Sequence, residues 1–125
     1  MEKIAAIIVT FNRKELLLKN LFNCLNQSKK IDSIFVIDNA STDGTYEFLV
    51  ENGIINYDNI EYVKLNKNIG GAGGFYTGLK LAFENGYDMF WMMDDDGCPD
   101  SDSLENLIHA FQLNDNIQIV GPLIY

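Results

Sequence analysis

MFWMMDDDGCPD, residues 89–100, decides the reading of this chain. Five large apolar residues, Met89 to Met93, run straight into three carboxylates, Asp94, Asp95 and Asp96. A short continuous apolar run bounded by turn signals is the pattern of a buried strand. The acids then stand at its carboxyl end, where open α/β sheets place their ligands. Three adjacent negative charges repel one another and need water or a cation between them. Oxygen donors of this kind suit Mg²⁺ or Mn²⁺. The plainer alternative is a solvated acidic turn.

Outward from that stretch, strand and helix patterns alternate. Apolar runs at Ile4–Val9, Ser33–Ile37, Ile60–Leu65, Tyr87–Met93 and Ile117–Val120 predict five strands. Helical spacing predicts helices over Lys14–Gln27 (Leu17, Leu18, Leu21, Phe22, Leu25), Thr45–Asn52, Gly74–Glu84 (Phe75, Leu79, Ala82, Phe83) and Asp102–Leu113. Ser41, Thr42 and Asp43 are cap candidates for the second helix, and Asp102 with Glu105 matches a capping box for the fourth. Alternation of this kind means βαβ units with right-handed crossovers. The expected fold is α/β, a Rossmann-like, mostly parallel sheet with helices on both faces. Uniformly apolar strands agree with a sheet covered on both sides.

Composition bounds the function. At 125 residues the chain is a single domain able to bury a core. The net charge of −9 leaves no basic stripe to neutralise phosphates, which argues against nucleic acid as a partner. It also disfavours an anionic membrane surface as a strong electrostatic target. An acidic protein still binds an anionic nucleotide when a divalent cation bridges the two. The two cysteines, Cys24 and Cys98, form no CxxC or Cys/His cluster, so zinc is not expected; two reduced thiols fit the cytoplasm. The run Ile4–Val9 is too short for a signal core or a membrane span.

The polar clusters all follow strands and so share one rim of a parallel sheet. Thr10, Phe11 and Asn12 follow the first, DNASTDGT (38–45) the second, NKNIGGAGG (66–74) the third and DDDGCPD (94–100) the fourth. Asp38, beside Asn39, is an acceptor for a base imide or a ribose hydroxyl, or the side chain of an Asx-turn. The glycines at 70, 71, 73 and 74 let backbone approach a ligand before a helix N-terminus, or serve a turn and close helix packing. They match neither a dinucleotide fingerprint nor a P-loop. If the strand stays extended, Asp94 and Asp96 point to one side and Asp95 to the other. A cation held by that pair would neutralise a diphosphate leaving group. His109, the only histidine, lies on the fourth helix, remote from the rim, and reads as packed or exposed. Tyr87, Trp91, Met92 and Met93 read as core.

In order, IIVTFNRKELLLKNL, VIDNASTDGT, LNKNIGGAGGFYTGL and WMMDDDGCPD resemble the family-2 glycosyltransferases of GT-A fold, most of all the bacterial galactofuranosyl- and rhamnosyltransferase-like branch. The resemblance covers essentially the whole chain and implies a nucleotide-binding half. It implies that Thr10 and Asn12 line the nucleotide site, that Asp38 contacts the base with Asn39 beside it, and that Asn68, Gly70 and Gly71 lie near the ribose and diphosphate. Asp94 and Asp96 match the DXD motif, which holds Mg²⁺ or Mn²⁺ and the donor diphosphate; Asp95 fills its variable middle position and is able to substitute for a neighbour. The implied reaction is metal-dependent, inverting transfer of a sugar from a UDP- or dTDP-linked donor to a glycan or lipid-linked acceptor, in cell-wall or polysaccharide biosynthesis. It implies a cytoplasmic enzyme, peripheral at the inner membrane face where acceptors are lipid-linked. The family's catalytic base and a later histidine lie beyond the fifth strand, so the base is expected beyond Tyr125 and residues 1–125 alone are expected to be inactive. Apolar surface and sheet edge exposed by such a truncation would favour homo-oligomers. Two alternatives remain: a non-catalytic nucleotide-binding or interaction module with this fold, and a nucleotidyltransferase, for which Lys64 and Lys67 are few cations.

Overall fold

In the computed structural model, residues 3–112 are described. Four strands, β1 (Ile4–Thr10), β2 (Ser33–Asp38), β3 (Ile60–Lys64) and β4 (Met89–Asp94), alternate with helices α1 (Lys14–Leu25), α2 (Thr45–Glu51), α3 (Gly70–Glu84) and α4 (Ser103–Gln112). A 3-10 turn at Ile54–Asn56, not anticipated from the sequence, precedes β3. All pairings are parallel, in the order β3-β2-β1-β4. The chain thus builds outward from β1 through β2 to β3, then crosses back to pair β4 on the other side of β1. The predicted fifth strand, Ile117–Val120, lies outside the described residues.

The period-two alternation of strand side chains divides the core. Ile4, Ala6 and Ile8 of β1, Ile34 and Val36 of β2 and Trp91 of β4 join Leu17, Leu21 and Cys24 of α1, Leu49 of α2 and Leu104 of α4. Ala5, Ile7, Val9, Phe35 and Ile37 point the other way, onto α3 through Ala82. Helices on both faces are as expected for the α/β reading. Burial is uniform only in the inner strands β1 and β2; β3 and β4 are partly exposed, as the two flanks of the four described strands. Met92 is therefore 42% exposed rather than core, while Trp91 is buried.

Element ends differ from the sequence reading for local reasons. Helix α1 buries Leu17, Asn20, Leu21 and Cys24, so its inward stripe includes an asparagine, and Phe22 is 40% exposed. Helix α3 starts at Gly70, not Gly74, and winds the glycine run into its first turn. Its buried stripe is Gly74, Gly78 and Ala82. A Cβ on Gly74 would lie 2.7 Å from Val9 Cγ1, and one on Gly78 2.5 Å from Ile7 Cγ2. These small residues seat the helix directly on β1, which turns Phe83 outward (74% exposed) instead of inward. The caps also differ. Gly44, in left-handed conformation, precedes α2 without a side-chain cap, and Ser41 and Thr42 instead accept hydrogen bonds from Asn12. At α4 the predicted capping box does not form: Gln27 Oε1 accepts from the Leu104 amide, and Glu105 accepts from Ser28 Oγ.

Candidate nucleotide-binding site

In a parallel sheet the crevice lies where successive crossovers leave in opposite directions. Here that point is the carboxyl end of β1, between β2 and β4. Register brings the rim residues into a row: Thr10 pairs with Asp38, Asp38 with Lys64, and Val9 with Asp94. The acidic turn therefore stands beside the Thr10–Arg13 loop, with the Asp38–Thr45 loop on the opposite flank.

Extended backbone does not continue through all three acids. Strand β4 ends at Asp94, and the chain turns, with the Gly97 amide donating to the Asp94 carbonyl at 3.1 Å. Asp94 and Asp96 are nonetheless both exposed, while Asp95 is buried. The middle aspartate is the one fastened to the protein. Its Oδ2 accepts from Thr10 Oγ1 at 3.1 Å, and its Oδ1 accepts from Arg13 Nη1 at 3.1 Å. The same Arg13 nitrogen lies 3.5 Å from Asp96 Oδ2. The hydrogen bond and charge of Asp95, followed by the charges of Asp96 and Asp94, raise the Arg13 pKa above its ordinary value. All three acids thus act on one guanidinium.

The turn is held from below by Asn20. This fully buried amide donates from Nδ2 to the Asp94 carbonyl (3.1 Å) and accepts at Oδ1 from the Cys98 amide (3.0 Å). Cys98 itself adopts φ 39°. Burial of Cys24, one helical turn further on, pushes its thiol up to about 12. Neither Arg13 nor Asn20 stands out in the sequence reading. Asn20 does carry a signal, since it interrupts an apolar stripe at 17, 21 and 24. Arg13 carries none, as a helix-start arginine is ordinarily solvated.

Asp38 is buried at 1% exposure. Its Oδ1 accepts from the Ser41 amide at 2.8 Å, closing the Asx-type turn, and its Oδ2 accepts from the Tyr62 hydroxyl. Desolvation, then the bond and charge of Asp38, raise the Tyr62 pKa. Next to it Asn39 clamps the glycine turn: Nδ2 donates to the Gly70 carbonyl (3.0 Å) and Oδ1 accepts from the Ile69 amide (3.1 Å). Asn68 Oδ1 accepts from the Gly70 amide at 2.8 Å. Gly70 has φ 80°, which favours glycine. A Cβ on Gly71, by contrast, would meet nothing within 4 Å, and the residue presents bare backbone at the start of α3. Asn12, at φ 52°, accepts from the Thr42 amide at 2.7 Å and donates to Thr42 Oγ1, tying the first rim loop to the second. His109 is exposed on α4.

The structure therefore brings Thr10, Asn12, Asp38 and Asn39, Asn68, Gly70 and Gly71, and Asp94 to Asp96 to the carboxyl rim. Among the described residues no group of three or more His, Cys, Asp or Glu side chains is arranged to hold a metal ion. What the rim offers is two exposed carboxylates, Asp94 and Asp96. These are hard oxygen donors, suited to Mg²⁺ or Mn²⁺ when water and phosphate oxygens supply the other positions. No helix among the described residues is long and apolar enough to cross a membrane.

Comparison with known proteins gives the arrangement its context. Galactofuranosyltransferase GlfT1 of Mycolicibacterium smegmatis is 29% identical over 123 residues, covering 98% of this chain and 39% of that protein. A UDP-N-acetylglucosamine–dolichyl-phosphate N-acetylglucosaminyltransferase of Methanococcus voltae is 29% identical over 134 residues, covering 98% of this chain and 53% of the relative. The chain thus spans between about two-fifths and half the length of these two relatives. Among solved structures, TarS 1–349 of S. aureus in complex with UDP superposes with a TM-score of 0.74 at 21% identity, over 89% of this chain and 32% of that one. The mannosyltransferase PcManGT of Pyrobaculum calidifontis, in complex with GDP-Man and Mn²⁺, gives 0.73 at 24% identity, over 87% and 32%. These likenesses establish the fold. The profile described as "Glycosyl transferase family 2" matches residues 5–125, and the chain belongs to that family.

Proposed function

We propose that this chain is the donor-binding portion of a glycosyltransferase that takes its sugar from a nucleoside diphosphate, UDP or dTDP. The observation that carries the reading is the convergence of four separate loops on one rim, at the point where the sheet reverses its order, with exposed Asp94 and Asp96 at its centre. Relatives that act on galactofuranosyl or N-acetylglucosaminyl donors, and neighbours bound to UDP or GDP-Man, support the ligand class.

In this reading Thr10, Asn12, Asp38 and Asn39 line the nucleoside end. A base contact at Asp38 would use lone pairs left over after Ser41 and Tyr62, since each carboxylate oxygen has two. Asn68, Gly70 and Gly71 lie along the ribose and diphosphate, where the bare backbone at Gly71 permits close approach. Asp94 and Asp96, with Asp95 as the anchored member between them, would hold Mg²⁺ or Mn²⁺, which supplies charge neutralisation to the departing diphosphate. Mn²⁺ in PcManGT supports that assignment. Transfer goes to a glycan or lipid-linked acceptor with inversion, by a base beyond Tyr125 that deprotonates the acceptor hydroxyl. The enzyme works in the cytoplasm.

The test is calorimetry of residues 1–125 with UDP and dTDP, with and without Mn²⁺, and with Asp96→Ala. Binding that needs Mn²⁺, is lost in Asp96→Ala and is accompanied by no sugar transfer is the expected result. Equal binding without metal, or a preference for nucleoside triphosphates, would refute it.

A further inference from the structure

We propose that Arg13 is a resident counter-cation of the acidic turn, competing with the divalent cation for Asp96 and surrendering that carboxylate when the cation binds. The inference rests on the donor-binding reading above and concerns a residue outside the proposed ligand set.

The two contacts of Arg13 are unequal. Asp95 lies within hydrogen-bond distance at 3.1 Å; its side chain is 7% exposed and its other oxygen is fixed by Thr10. That end cannot follow a departing ligand. Asp96 lies at 3.5 Å, and its side chain is 51% exposed, as is that of Arg13. This second contact is longer, solvated and free to exchange. The Asp94 charge also acts on the guanidinium, so both proposed cation ligands share its field. A cation bound by Asp94 and Asp96 would meet a fixed positive charge beside it. The favourable outcome is for Arg13 to keep Asp95 and yield Asp96. An arginine fork suits this, because its several donors allow one carboxylate to be held while another is released. The consequence is a metal affinity set lower than the bare carboxylates would give.

The experiment counts free Mn²⁺ by its electron paramagnetic resonance signal during titration of the 125-residue chain with UDP present, against a matched titration of UDP without protein, for the native protein, Arg13→Gln and Arg13→Lys. Arg13 makes no side-chain cap on α1, and its half-exposed position favours folding of the variants, checked by circular dichroism. Arg13→Gln is expected to bind Mn²⁺ about three- to tenfold more tightly at low salt, a gain that shrinks as salt screens the rim. Arg13→Lys should stay near the native value, since it retains the charge. Equal or weaker binding by Arg13→Gln overturns the proposal, as does an equal gain in Arg13→Lys, which keeps the charge. If the native chain binds no Mn²⁺ even with UDP, the donor-binding reading and this inference both fall. If it binds and Arg13→Gln changes nothing, only the inference falls.

Discussion

Asn20→Leu is the substitution that most directly tests how the acidic turn is held. Leucine has the branching and heavy-atom count of asparagine and suits a helix, so no cavity opens and the backbone term is small, with some added bulk from its methyl groups. What disappears are the hydrogen bonds of one fully buried amide, which donates to the Asp94 carbonyl and accepts from the Cys98 amide and, more weakly, from the Cys24 thiol. A net hydrogen bond contributes about 1 kcal/mol, and a buried group left without a partner costs about 1–3 kcal/mol. Both backbone groups are only partly buried, so water recovers some of this. The expected global loss is about 2–3 kcal/mol. With a slope of roughly 1–3 kcal/mol/M in urea, that moves the midpoint down by on the order of 1 M. Trp91, the single tryptophan, is buried on β4 and reports the transition by fluorescence. A second readout is local. The Cys98 amide should exchange its hydrogen about tenfold faster than the global loss alone explains, because its acceptor is gone. The Asn39 amide, bonded to the Thr10 carbonyl at 2.9 Å on the other flank of β1, serves as reference. An unchanged midpoint, or Cys98 and Asn39 accelerating in step, would refute the claim that Asn20 staples this turn.

Four further substitutions have expected outcomes. Gly78→Ala should destabilise the fold by about 0.5–2 kcal/mol in thermal or urea melts, because overpacking against Ile7 outweighs the roughly 1 kcal/mol that alanine adds to a helix; Gly71→Ala, with no neighbour within 4 Å, should leave the melt unchanged or slightly raised while weakening UDP binding measured by calorimetry. Asp95→Ala should cost about 1–3 kcal/mol in chemical denaturation, since it strips the acceptor from Thr10 Oγ1, a hydroxyl only 1% exposed. For Cys24 the folded thiol pKa, pushed by burial to about 12, lies above its ordinary 9.0. The unfolded chain therefore loses this proton first. Stability from Cys24 is fully present below about pH 9 and is lost progressively as the pH rises towards about 12, so Cys24→Ala should flatten the alkaline limb of the stability profile.

Much of this is legible in the sequence because periodicity is a backbone property. Four strands, four helices and the shared rim follow from apolar runs and turn residues without reference to partners. Side-chain contacts across long separations are another matter. The glycine run reads equally well as a ligand cradle or as helix packing. Only the closeness of Gly74 to Val9 separates the roles, assigning that glycine to packing and leaving Gly71 bare. The capping box at Asp102 and Glu105 is locally sound, yet Ser28, brought in from beyond the end of α1, donates to the Glu105 carboxylate, and Gln27 accepts from the neighbouring Leu104 amide. Strict alternation puts Asp95 on the opposite side from Asp94 and Asp96, as observed, but for another reason: the chain turns there, and Asp95 points inward to accept from Thr10 and Arg13. Spacing alone turns Phe83 inward, but it lies outward, because a stripe of small residues defines the seat of α3 more strongly than large ones do.

The order β3-β2-β1-β4 has a consequence for biosynthesis. As the polypeptide leaves the ribosome, β1, β2 and β3 become available in turn and join through local crossovers. The fourth strand has to find β1 across some eighty residues, and every tether of the aspartate bend spans a similar gap: Thr10 to Asp95, Arg13 to Asp95, Asn20 to Asp94 and to Cys98. Such distant closures are slow, since entropy must be surrendered before any contact rewards it. A nascent chain that has not completed this last docking has no assembled rim. Among the described residues, docking of β4 and assembly of the rim are in this way one and the same step.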